Sequence, residues 1–424
     1  MSNTPNPPRR KTRHAVRFTG KKIVLGVSGG IACYKSCELL REFKRQGATV
    51  RVMMTPSATE FVRPLTFAAL SENPVLTNLF PEAGAAVIEH INWSRWGDVI
   101  VVCPATANTL ARLANGFADE PVSATIRAAR VPVVLCPAMN SAMWDDALVQ
   151  RNLKTLLDAG YRCVAPEFGD LATTAEGAGW GRLARLEWIL AEVLAALQPS
   201  QPLQGMKVLV TAGRTEEYLD PVRMLTNPAS GRMGFAVAEA ARALGAEVIL
   251  VHGPTELPPP YQVKTVPIIS AQQMRDAVLE YYPGAQVLVM TAAVSDYRPR
   301  QFAPEKIKKG EAAAMIELEE NDDILKLLSR QKTQALHVGF ALETENAIKN
   351  AQGKLQQKAL DLIVLNNAKE AGAGFKSETN HVTLIDRHGG IEALPTLTKV
   401  EVAFEILQRV VALQKEKPHA ILQK

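Results

Sequence analysis

The amino-acid sequence predicts an α/β protein built from two doubly wound domains in tandem. Short apolar runs rich in β-branched residues alternate with longer helical patterns, and this alternation begins twice along the chain. With 424 residues, the chain is long enough for two domains that each have a core. In doubly wound folds, ligands bind at the carboxyl ends of the strands.

The positive charge of the chain is concentrated at its beginning. Residues 1–22 contain seven Lys or Arg and no acid, whereas the formal charge of the whole chain is only +5. The remainder is slightly acidic, which argues against nucleic acid as a partner, because a basic face is expected there. Residues 1–20 are interpreted as a disordered basic leader without the apolar core of a secretory signal. No apolar run of about 18 residues is present, so we expect no contact with the membrane interior.

The cysteines indicate a reducing compartment. They are odd in number and lack the paired spacing of a zinc site. Reduced thiols in a cytoplasmic protein are therefore expected. The five residues are Cys33, Cys37, Cys103, Cys136 and Cys163.

The first set of elements is predicted over residues 21–197. Helical patterns cover Ile31–Gln46 and Asp145–Ala159, and Leu183–Leu197 is a closing helix. Residues 198–205, rich in Pro and Gln, are predicted to form a linker. The runs with the pattern of buried parallel strands are KKIVLGVSG, ATVRVMMT, DVIVVCPA, VPVVLCPAM and YRCVAP.

The second set is predicted over residues 206–414 and is followed by a tail of residues 415–424. His381–Leu394 has the pattern of a hairpin turning at His388-Gly389-Gly390, and a final amphipathic helix covers about Lys399–Gln414. No sequence repeat relates the two sets. The strand-like runs are KVLVTAG, EVILVHG, QVLVMTAAV, LHVGFAL and DLIVLNN.

The stretch Lys207–Gly234 has the order of elements that anion sites use. An apolar strand, a glycine turn and a loop lead into a helix predicted over Phe235–Leu244, whose first N–H groups favour phosphate. Ser230 is predicted to cap this helix, and glycines at 231 and 234 allow close approach of a phosphate. A simple tight turn remains the alternative, because such loops are common in α/β proteins.

A second candidate anion site follows the first strand. The turn Gly26–Ala32 lacks the dinucleotide pattern GxGxxG, and no acidic residue follows the second strand where a ribose partner is expected. Hydroxyl groups stand there instead. A flavin mononucleotide fits this pattern better than a dinucleotide. The candidate cofactor-binding residues are Ser28, Gly29, Gly30, Thr55, Ser57, Thr106 and Asn108.

Two further strands end in Pro-Ala turns followed by polar residues, and we interpret these turns as one wall of a site. The second of them, PAMNSAMW, contains Asn140. His90, in HINWSRWGD, lies before both turns in the sequence. A lone histidine is more often structural or exposed, so His90 has no assigned role on this pattern alone.

The motifs GVSGGIA, HINWSRW, PATANTLARLANGFAD and PAMNSAMW resemble those of the flavin-dependent cysteine decarboxylases over residues 21–196, with phosphopantothenoylcysteine decarboxylases as the closest branch. The resemblance implies a flavodoxin-like domain with FMN, which oxidises a substrate thiol so that carbon dioxide leaves easily. It implies that His90 is the acid/base group and that Asn140 holds the substrate carboxylate.

One segment departs from that family. The family carries a flap cysteine that donates a proton, and Thr173 stands in its place here, in a segment two residues longer. A threonine hydroxyl is a far poorer acid than a thiol. Cys163 or Glu176 is a candidate replacement; Glu176 is preferred, because a carboxyl group with a raised pKa donates a proton near neutral pH. Otherwise this half is impaired, or it releases an enethiol.

The second set resembles the phosphopantothenate–cysteine ligases over residues 206–413. The motifs are TAGRTEEYLDPVRMLTNPASGRMG, TAAVSDYRP, PEKIKKG, ELEENDDIL, VGFALETEN and KLQQKALDLIVLNN. The resemblance implies a Rossmann-like domain that uses CTP to activate a carboxylate as an acyl-cytidylate before an amine attacks it. The whole chain thus resembles the bacterial bifunctional enzymes of coenzyme A biosynthesis.

The ligase resemblance also implies roles for individual residues. Asn227 steadies the acyl-cytidylate and Lys306 acts in its conversion, although a lysine run is usually a solvated face. Asp323 contacts nucleotide or a water of magnesium, or else only caps a helix. Lys354 and Lys358, four residues apart on one predicted helix, reach one triphosphate. The residues implied to contact CTP are Ser230, Gly231, Arg232, Ala292, Asp296, Lys306, Asp322, Asp323, Ile324, Leu325, Phe340, Lys354 and Lys358.

We therefore predict a cytoplasmic bifunctional enzyme that uses FMN and Mg²⁺, with no metal ligands identified in the sequence. Its partners are 4′-phosphopantothenate, cysteine and CTP. The resemblance implies a homo-oligomer, with trimers of the decarboxylase that hold flavin between subunits and dimers of the ligase. Two alternatives remain: an active ligase with an impaired flavin half, and a first half that only binds flavin as a regulatory subunit or scaffold. Retention of His90 and Asn140 argues against the latter.

Overall fold

The computed structural model describes residues 17–80, 88–173, 175–308, 315–331, 334–343, 345–367 and 379–416. The predicted leader, residues 1–20, lies mostly outside these ranges, and so does the predicted tail, residues 415–424. None of the helices in the described part of the chain combines the length and the apolar character needed to cross a membrane.

The first half contains eight strands and nine helices in its described residues. The strands are β1 (Lys22–Val27), β2 (Thr49–Met54), β3 (Val75–Leu76), β4 (Val99–Ala105), β5 (Val133–Pro137), β6 (Arg162–Cys163), β7 (Glu167–Asp170) and β8 (Ala178–Arg182). The helices are α1 (Cys33–Arg45), α2 (Ala58–Phe61), α3 (Pro64–Ser71), α4 (Glu89–Trp96), α5 (Ala107–Ala114), α6 (Pro121–Ala128), α7 (Ser141–Asp145), α8 (Ala147–Asp158) and α9 (Leu186–Ala196).

In the second half, the strands are β9 (Lys207–Ala212), β10 (Glu216–Tyr218), β11 (Met224–Thr226), β12 (Glu247–His252), β13 (Lys264–Pro267), β14 (Val287–Met290), β15 (Tyr297–Pro299), β16 (Leu318–Glu320), β17 (Leu336–Glu343), β18 (Leu362–Asn367), β19 (Thr379–Asn380), β20 (Val382–Asp386), β21 (Ile391–Ala393) and β22 (Leu397–Thr398). The helices are α10 (Arg232–Ala243), α11 (Ala271–Tyr281), α12 (Ile324–Ser329), α13 (Ala347–Gln357) and α14 (Lys399–Lys415), and Tyr282–Gly284 forms a short 3₁₀ helix.

The first sheet is parallel throughout, as the apolar runs predict. Its six strands lie in the order β3-β2-β1-β4-β5-β6. Both faces are buried: Leu39 and Phe43 of α1 pack on one, and Trp93 of α4 and Leu110 of α5 pack on the other. The run YRCVAP contributes only the two residues of β6. Strands β7 and β8 form a separate antiparallel hairpin, referred to below as the flap.

The second sheet has eight strands in the order β13-β12-β9-β14-β17-β18-β20-β21. The first six are parallel, while β20 and β21 add antiparallel, which confirms the predicted hairpin. Helices α10 and α14 cover one face of this sheet, and α11 and α12 cover the other. The prediction of two doubly wound α/β units is therefore confirmed.

Several predicted helices have other bounds in the structure; α9, for example, begins at Leu186, three residues after the predicted Leu183. The segment predicted as one helix over Asp145–Ala159 is two helices, because Asp146 has extended backbone and its side chain accepts hydrogen bonds from Leu148 and Val149 N–H at the start of α8. Helix α10 begins at Arg232, three residues before the predicted Phe235.

The two halves share a buried contact. Leu203, within the predicted linker, is fully buried, and its N–H donates to Leu244 O at 3.0 Å, so this segment packs against the second half. On α9, the buried Glu192 accepts from Arg162 at 2.8 Å and from Arg242, on α10, at 2.9 Å. A buried carboxylate paired on both sides is costly to disrupt, about 3–5 kcal/mol per lost partner, so this triad holds α9 on α10.

Candidate functional site

The first candidate site is a cavity of about 620 Å³ at the carboxyl ends of β1, β4 and β5. Seven sequence-predicted residues line it: Gly29, Gly30, Ser57, Thr106, Asn108, Asn140 and Glu176. Sequence reasoning missed other lining residues, among them Ile31, Tyr34, Lys35 and Arg182. The turn at Gly29 lies so close to Ser57 that a Cβ at Gly29 would collide with the serine side chain.

Ser28 and Thr55, also predicted to bind a cofactor, are buried outside the lining of the cavity. The Ser28 hydroxyl donates to Pro104 O at 2.7 Å and accepts from Thr106 N–H at 3.0 Å, so it joins the turns after β1 and β4. The Thr55 hydroxyl lies 3.1 Å from that of Ser57. These two residues hold the turns in place, and the neighbouring backbone faces the cavity.

The geometry fits a flavin mononucleotide. The beginnings of α1 and α5 meet a tight glycine turn, and unpaired N–H groups at helix beginnings favour a phosphate. A volume of about 620 Å³ is also large enough for a planar ring system beside that turn. The prediction of FMN from the hydroxyl-rich turns is therefore compatible with the structure.

Asn140 lies at the start of α7 and faces the flap. Its Oδ1 accepts from Ala142 N–H at 2.9 Å, and its Nδ2 donates to a carboxylate oxygen of Glu176 at 2.9 Å. The Thr173 hydroxyl donates to the other oxygen of Glu176 at 3.1 Å. Glu176 also lines the cavity. The amide of Asn140 can therefore hold a carboxylate, and in this structure the carboxylate belongs to the protein.

Cys163 does not reach this cavity. It lies in β6, and burial, with a smaller contribution from the Glu192 carboxylate, raises the pKa of its thiol to about 12. A thiol with so high a pKa is a weak acid. Of the two residues proposed to replace the flap cysteine, only Glu176 lies at the site.

His90 lies on α4 and is not among the residues that line the cavity. Its Nδ1 is buried and has no hydrogen-bond partner. The same helix is held on the sheet by Arg51, whose guanidinium stacks 4.3 Å from the ring centroid of Trp96. Within one chain, the structure therefore does not bring His90 together with Asn140.

The second candidate site surrounds the loop Asn227–Gly234. This loop separates a cavity of about 220 Å³ from another of about 580 Å³, and Ser230 and Arg232 line both. The prediction that Ser230 caps α10 is wrong. The cap is Gly231, with φ +80°, a left-handed conformation that glycine adopts at little cost. A Cβ at Gly234 would lie 2.5 Å from Ala212 Cβ, so this glycine lets α10 begin directly on β9.

Only some of the predicted nucleotide contacts line the smaller cavity. Ser230, Gly231, Arg232, Ala292 and Phe340 line the smaller cavity. Asn227 donates from Nδ2 to Ala293 O at 3.3 Å and so ties the loop to the end of β14. The other predicted contacts do not line this cavity: Asp296, Lys306, Asp322, Asp323, Ile324, Leu325, Lys354 and Lys358.

Lys354 and Lys358 are engaged with acids. The first lies 2.6 Å from Glu343 and the second 2.9 Å from Asp323. Helix α13 ends at Gln357, so Lys358 is its C-cap rather than a helical residue as predicted. Asp323 caps α12 by accepting from Lys326 N–H at 3.1 Å. The capping role of Asp323 is thus observed, and its nucleotide role remains a prediction.

The described residues contain no preformed binding site for magnesium. Among them, no group of three or more His, Cys, Asp or Glu side chains is placed to hold a metal ion. The predicted Mg²⁺ remains a prediction.

Sequence reasoning also missed a buried clamp on the segment that contains Lys306. The Asp220 side chain is fully buried; one oxygen accepts from Val222 and Arg223 N–H, and the other accepts from the Arg223 guanidinium and from Ile307 N–H at 3.1 Å. Arg223 in turn donates to Ile307 O at 2.6 Å. Burial alone would raise the pKa of Asp220, but Arg223 and these N–H groups outweigh it and hold the pKa below its usual range. The only sequence signal was an Asp and an Arg three residues apart in LDPVR.

Two family models match the chain, one in each half. Residues 11–198 match the model described as Flavoprotein, and residues 203–413 match the C-terminal domain of DNA/pantothenate metabolism flavoproteins. Neither model extends across both halves.

Curated proteins match the chain from one half to the other. It is 45% identical over 402 residues to the coenzyme A biosynthesis bifunctional protein CoaBC of Bacillus subtilis (strain 168), covering 94% of this chain and 98% of that protein. It is 39% identical over 404 residues to the CoaBC protein of Escherichia coli (strain K12), covering 94% and 99%. A crystal structure of the C-terminal domain of a CoaBC protein is 44% identical, covers 51% of this chain and 99% of its own, and gives a TM-score of 0.45.

The clamp can be tested without any assay of activity. Replacing Asp220 by Asn keeps one oxygen for the turn but removes the oxygen that accepts from Ile307. Loss of a hydrogen bond to a buried charge costs about 1.5–3 kcal/mol, so trypsin should cut the Lys306–Ile307 bond at least tenfold faster, as measured by mass spectrometry of fragments ending at Lys306. The control, Asp276→Asn, changes an exposed ion pair with Arg275 and should have no effect. Equal cleavage of wild type and Asp220→Asn would show that the clamp does not hold this segment.

Proposed function

This chain belongs to the family of coenzyme A biosynthesis bifunctional proteins, and we propose that residues 206–414 join 4′-phosphopantothenate to cysteine with CTP and that residues 21–197 then decarboxylate the product to 4′-phosphopantetheine. The protein is an enzyme with a decarboxylase half, which is a flavoprotein, and a ligase half. The proposal adds the nucleotide, the flavin species and the residues that act.

The loop Asn227–Gly234 is the observation that supports the ligase proposal most directly. It places the first N–H groups of α10 and the side chain of Arg232 beside two cavities, as a site for a nucleotide triphosphate requires. Asn227, the first residue of this loop, donates to Ala293 O and is assigned to steady the activated acyl group. Mg²⁺ enters with the triphosphate in this proposal.

Nucleotide binding has to rearrange charges on α12 and α13. Lys354 and Lys358 are paired with Glu343 and Asp323, and a triphosphate would compete with these carboxylates for the two ammonium groups. Such exposed pairs contribute little to stability, about 0–1 kcal/mol each, so exchange for a polyanion is inexpensive. Lys306 is assigned to the step after activation, and the clamp from Asp220 and Arg223 fixes the backbone next to it.

In the decarboxylase half, FMN is proposed to supply the reversible oxidation of the substrate thiol. Among this chain's own residues, Asn140 is assigned to the substrate carboxylate. The structure supports that role, because its amide already binds the carboxylate of Glu176. Since substrate and Glu176 cannot both occupy this position, the flap must shift when substrate binds. Decarboxylation leaves an enethiol, whose reduction to the final product requires a proton, and Glu176 is assigned as the donor of that proton in place of the family's flap cysteine.

His90 is proposed to reach the cavity from a neighbouring copy of the chain. Within one chain it does not line the cavity, and the resemblance to the cysteine decarboxylases implies trimers with flavin between subunits. Ile31 and Tyr34 at the cavity mouth and Met143 on α7 stay 60%, 54% and 47% exposed, which is unusual for large apolar residues unless another surface covers them. The ligase half is proposed to dimerise because of its own resemblance to the phosphopantothenate–cysteine ligases.

The cytoplasm is the proposed location. All five cysteines are free thiols, as expected for an enzyme of a reducing compartment.

The ligase assignment predicts that Lys306→Ala separates the two chemical steps. The variant should still release pyrophosphate from CTP and phosphopantothenate, because Lys306 is assigned a role after activation. Amide formation should fall by about 10²–10⁴-fold, the range for loss of a positioned catalytic group. Pyrophosphate release and amide product are measured in parallel, with Lys308→Ala of the same lysine run as the control. If both steps fall equally, Lys306 acts in binding or activation.

The decarboxylase assignment predicts that Glu176→Gln still releases carbon dioxide but accumulates the enethiol, which has two hydrogens fewer than 4′-phosphopantetheine. Formation of the reduced product should fall by about 10²–10⁴-fold. Adding Thr173→Cys should restore it, whereas Cys163→Ser should match wild type, because that thiol is buried elsewhere. Product masses distinguish these outcomes. If Glu176→Gln forms 4′-phosphopantetheine at the wild-type rate, Glu176 is not the proton donor.

A further inference from the structure

A further cavity, of about 410 Å³, lies between the two halves of the chain and is called the inter-half cavity below. The end of α1 and the first turn of α9 line it from the first half. Helix α10, the start of α14 and the loop of residues 257–261 line it from the second half. Its volume is within the range of ligand sites, about 300–1,000 Å³.

On one side, the inter-half cavity adjoins the ligase site. Arg232 and Lys399 line both this cavity and the smaller cavity of the ligase half. Arg232 also lines the larger ligase cavity. A product released from the ligase site can therefore enter the inter-half cavity by passing these two side chains.

On the other side, a cluster of charged residues leads to the flavin cavity. Arg185 lines the inter-half cavity, and Arg182, three residues earlier, lines the flavin cavity. Glu167 joins them, because it lies 2.5 Å from Arg185 and is paired with Arg182 between the two strands of the flap. Burial and the charge of Arg182 lower the pKa of Lys35, which also lines the flavin cavity. The basic groups of the two cavities therefore belong to one cluster.

The lining of the inter-half cavity carries more positive than negative charge, although the chain after its leader is slightly acidic. Arg17, Arg45 and Arg185 form ion pairs with acids at 3.1, 2.7 and 2.5 Å. Such solvent-accessible pairs contribute about 0–1 kcal/mol each, so an anion can replace the acids at low cost. The charged lining residues are Arg17, Arg45, Arg185, Arg232 and Lys399, against Glu42, Glu187 and Glu239.

Aromatic side chains from both halves complete the lining. The rings of Trp188, on α9, and Tyr261, in the second half, lie 5.3 Å apart, and the Arg185 guanidinium stacks 4.5 Å from the Trp188 ring centroid. The product of the proposed ligation, 4′-phosphopantothenoylcysteine, has a phosphate and a carboxylate separated by an uncharged chain. Arginines beside apolar rings match both parts of such a molecule.

We propose that the inter-half cavity takes up this anionic product and passes it to the flavin cavity of the same chain. The inference rests on the proposed function, since it requires that one half makes the molecule that the other half consumes. No covalent bond changes during the transfer. The arginines exchange their acids for the phosphate and carboxylate and then pair with the acids again. A positively charged surface raises the local concentration of an anion, so the product is retained rather than lost to solution.

The test follows carbon dioxide from cysteine labelled with ¹⁴C in its carboxyl group. Full-length protein with FMN, phosphopantothenate, CTP and Mg²⁺ is supplied with a pool of unlabelled 4′-phosphopantothenoylcysteine. With direct transfer, wild type should release labelled carbon dioxide without a lag, because newly made product does not first mix with the pool. In Arg45→Gln/Arg185→Gln, early labelled carbon dioxide should fall by at least about threefold, because two charges that retain the anion are lost.

Three comparisons make this result specific to the cavity. Arg45→Lys/Arg185→Lys keeps both charges and should behave like wild type. Arg41→Gln removes an exposed arginine of α1 that does not line the cavity, and it should also behave like wild type. Pyrophosphate release and decarboxylation of product supplied from solution are measured separately for every variant. The early label is expressed relative to these two rates, so a loss of either half-reaction is not mistaken for a loss of transfer.

The contrary results are distinct. A lag in wild type as long as the time needed to label the pool shows that the product passes through solution, which overturns the proposal. Equal early label in wild type and Arg45→Gln/Arg185→Gln overturns the role of this cavity, and so does an equal loss in Arg41→Gln. If wild type releases no pyrophosphate, or no carbon dioxide from supplied product, the proposed function itself fails.

Discussion

Helix α10 makes the contacts on which both halves of the molecule depend. Its first residue, Arg232, follows the glycine loop of the ligase half, and Gly234 lets the helix begin directly against β9 and β14. Near its other end, Arg242 joins Glu192 and Arg162 of the first half in a buried triad. A displacement of the interface between the halves would therefore reach the loop Asn227–Gly234 through one rigid helix.

Both candidate sites hold acids where substrate anions are expected. The carboxylate of Glu176 accepts a hydrogen bond from the amide of Asn140. Asp323 forms an ion pair with Lys358, and Glu343 forms one with Lys354. Each of these contacts is solvent-accessible, so a carboxylate or phosphate of a substrate can replace it at low cost. The buried contacts have the opposite character. The Ser28 hydroxyl joins two turns, and the Asp220 carboxylate accepts a hydrogen bond from the backbone of Ile307. These buried contacts keep the backbone around the two sites fixed while the accessible side chains exchange partners.

The sequence was sufficient for the parts of the fold that depend on local pattern. The buried strands of both sheets, the hairpin after His381 and the glycine loop follow from apolar runs and turn residues. The sequence was insufficient where contacts between distant segments determine which partner a side chain binds. Whether Lys354 faces a ligand or pairs with Glu343, and whether Ser28 faces the cavity or bonds to Pro104, depends on segments distant in sequence.

The most direct test of the two-step account is a single reaction of wild-type protein with FMN, phosphopantothenate, cysteine, CTP and Mg²⁺. Pyrophosphate, carbon dioxide and product mass are followed together in time. We predict that pyrophosphate appears first, that carbon dioxide follows only when cysteine is present, and that the final product is 4′-phosphopantetheine. Carbon dioxide release without prior pyrophosphate, or an amide product that is never decarboxylated, would contradict the account.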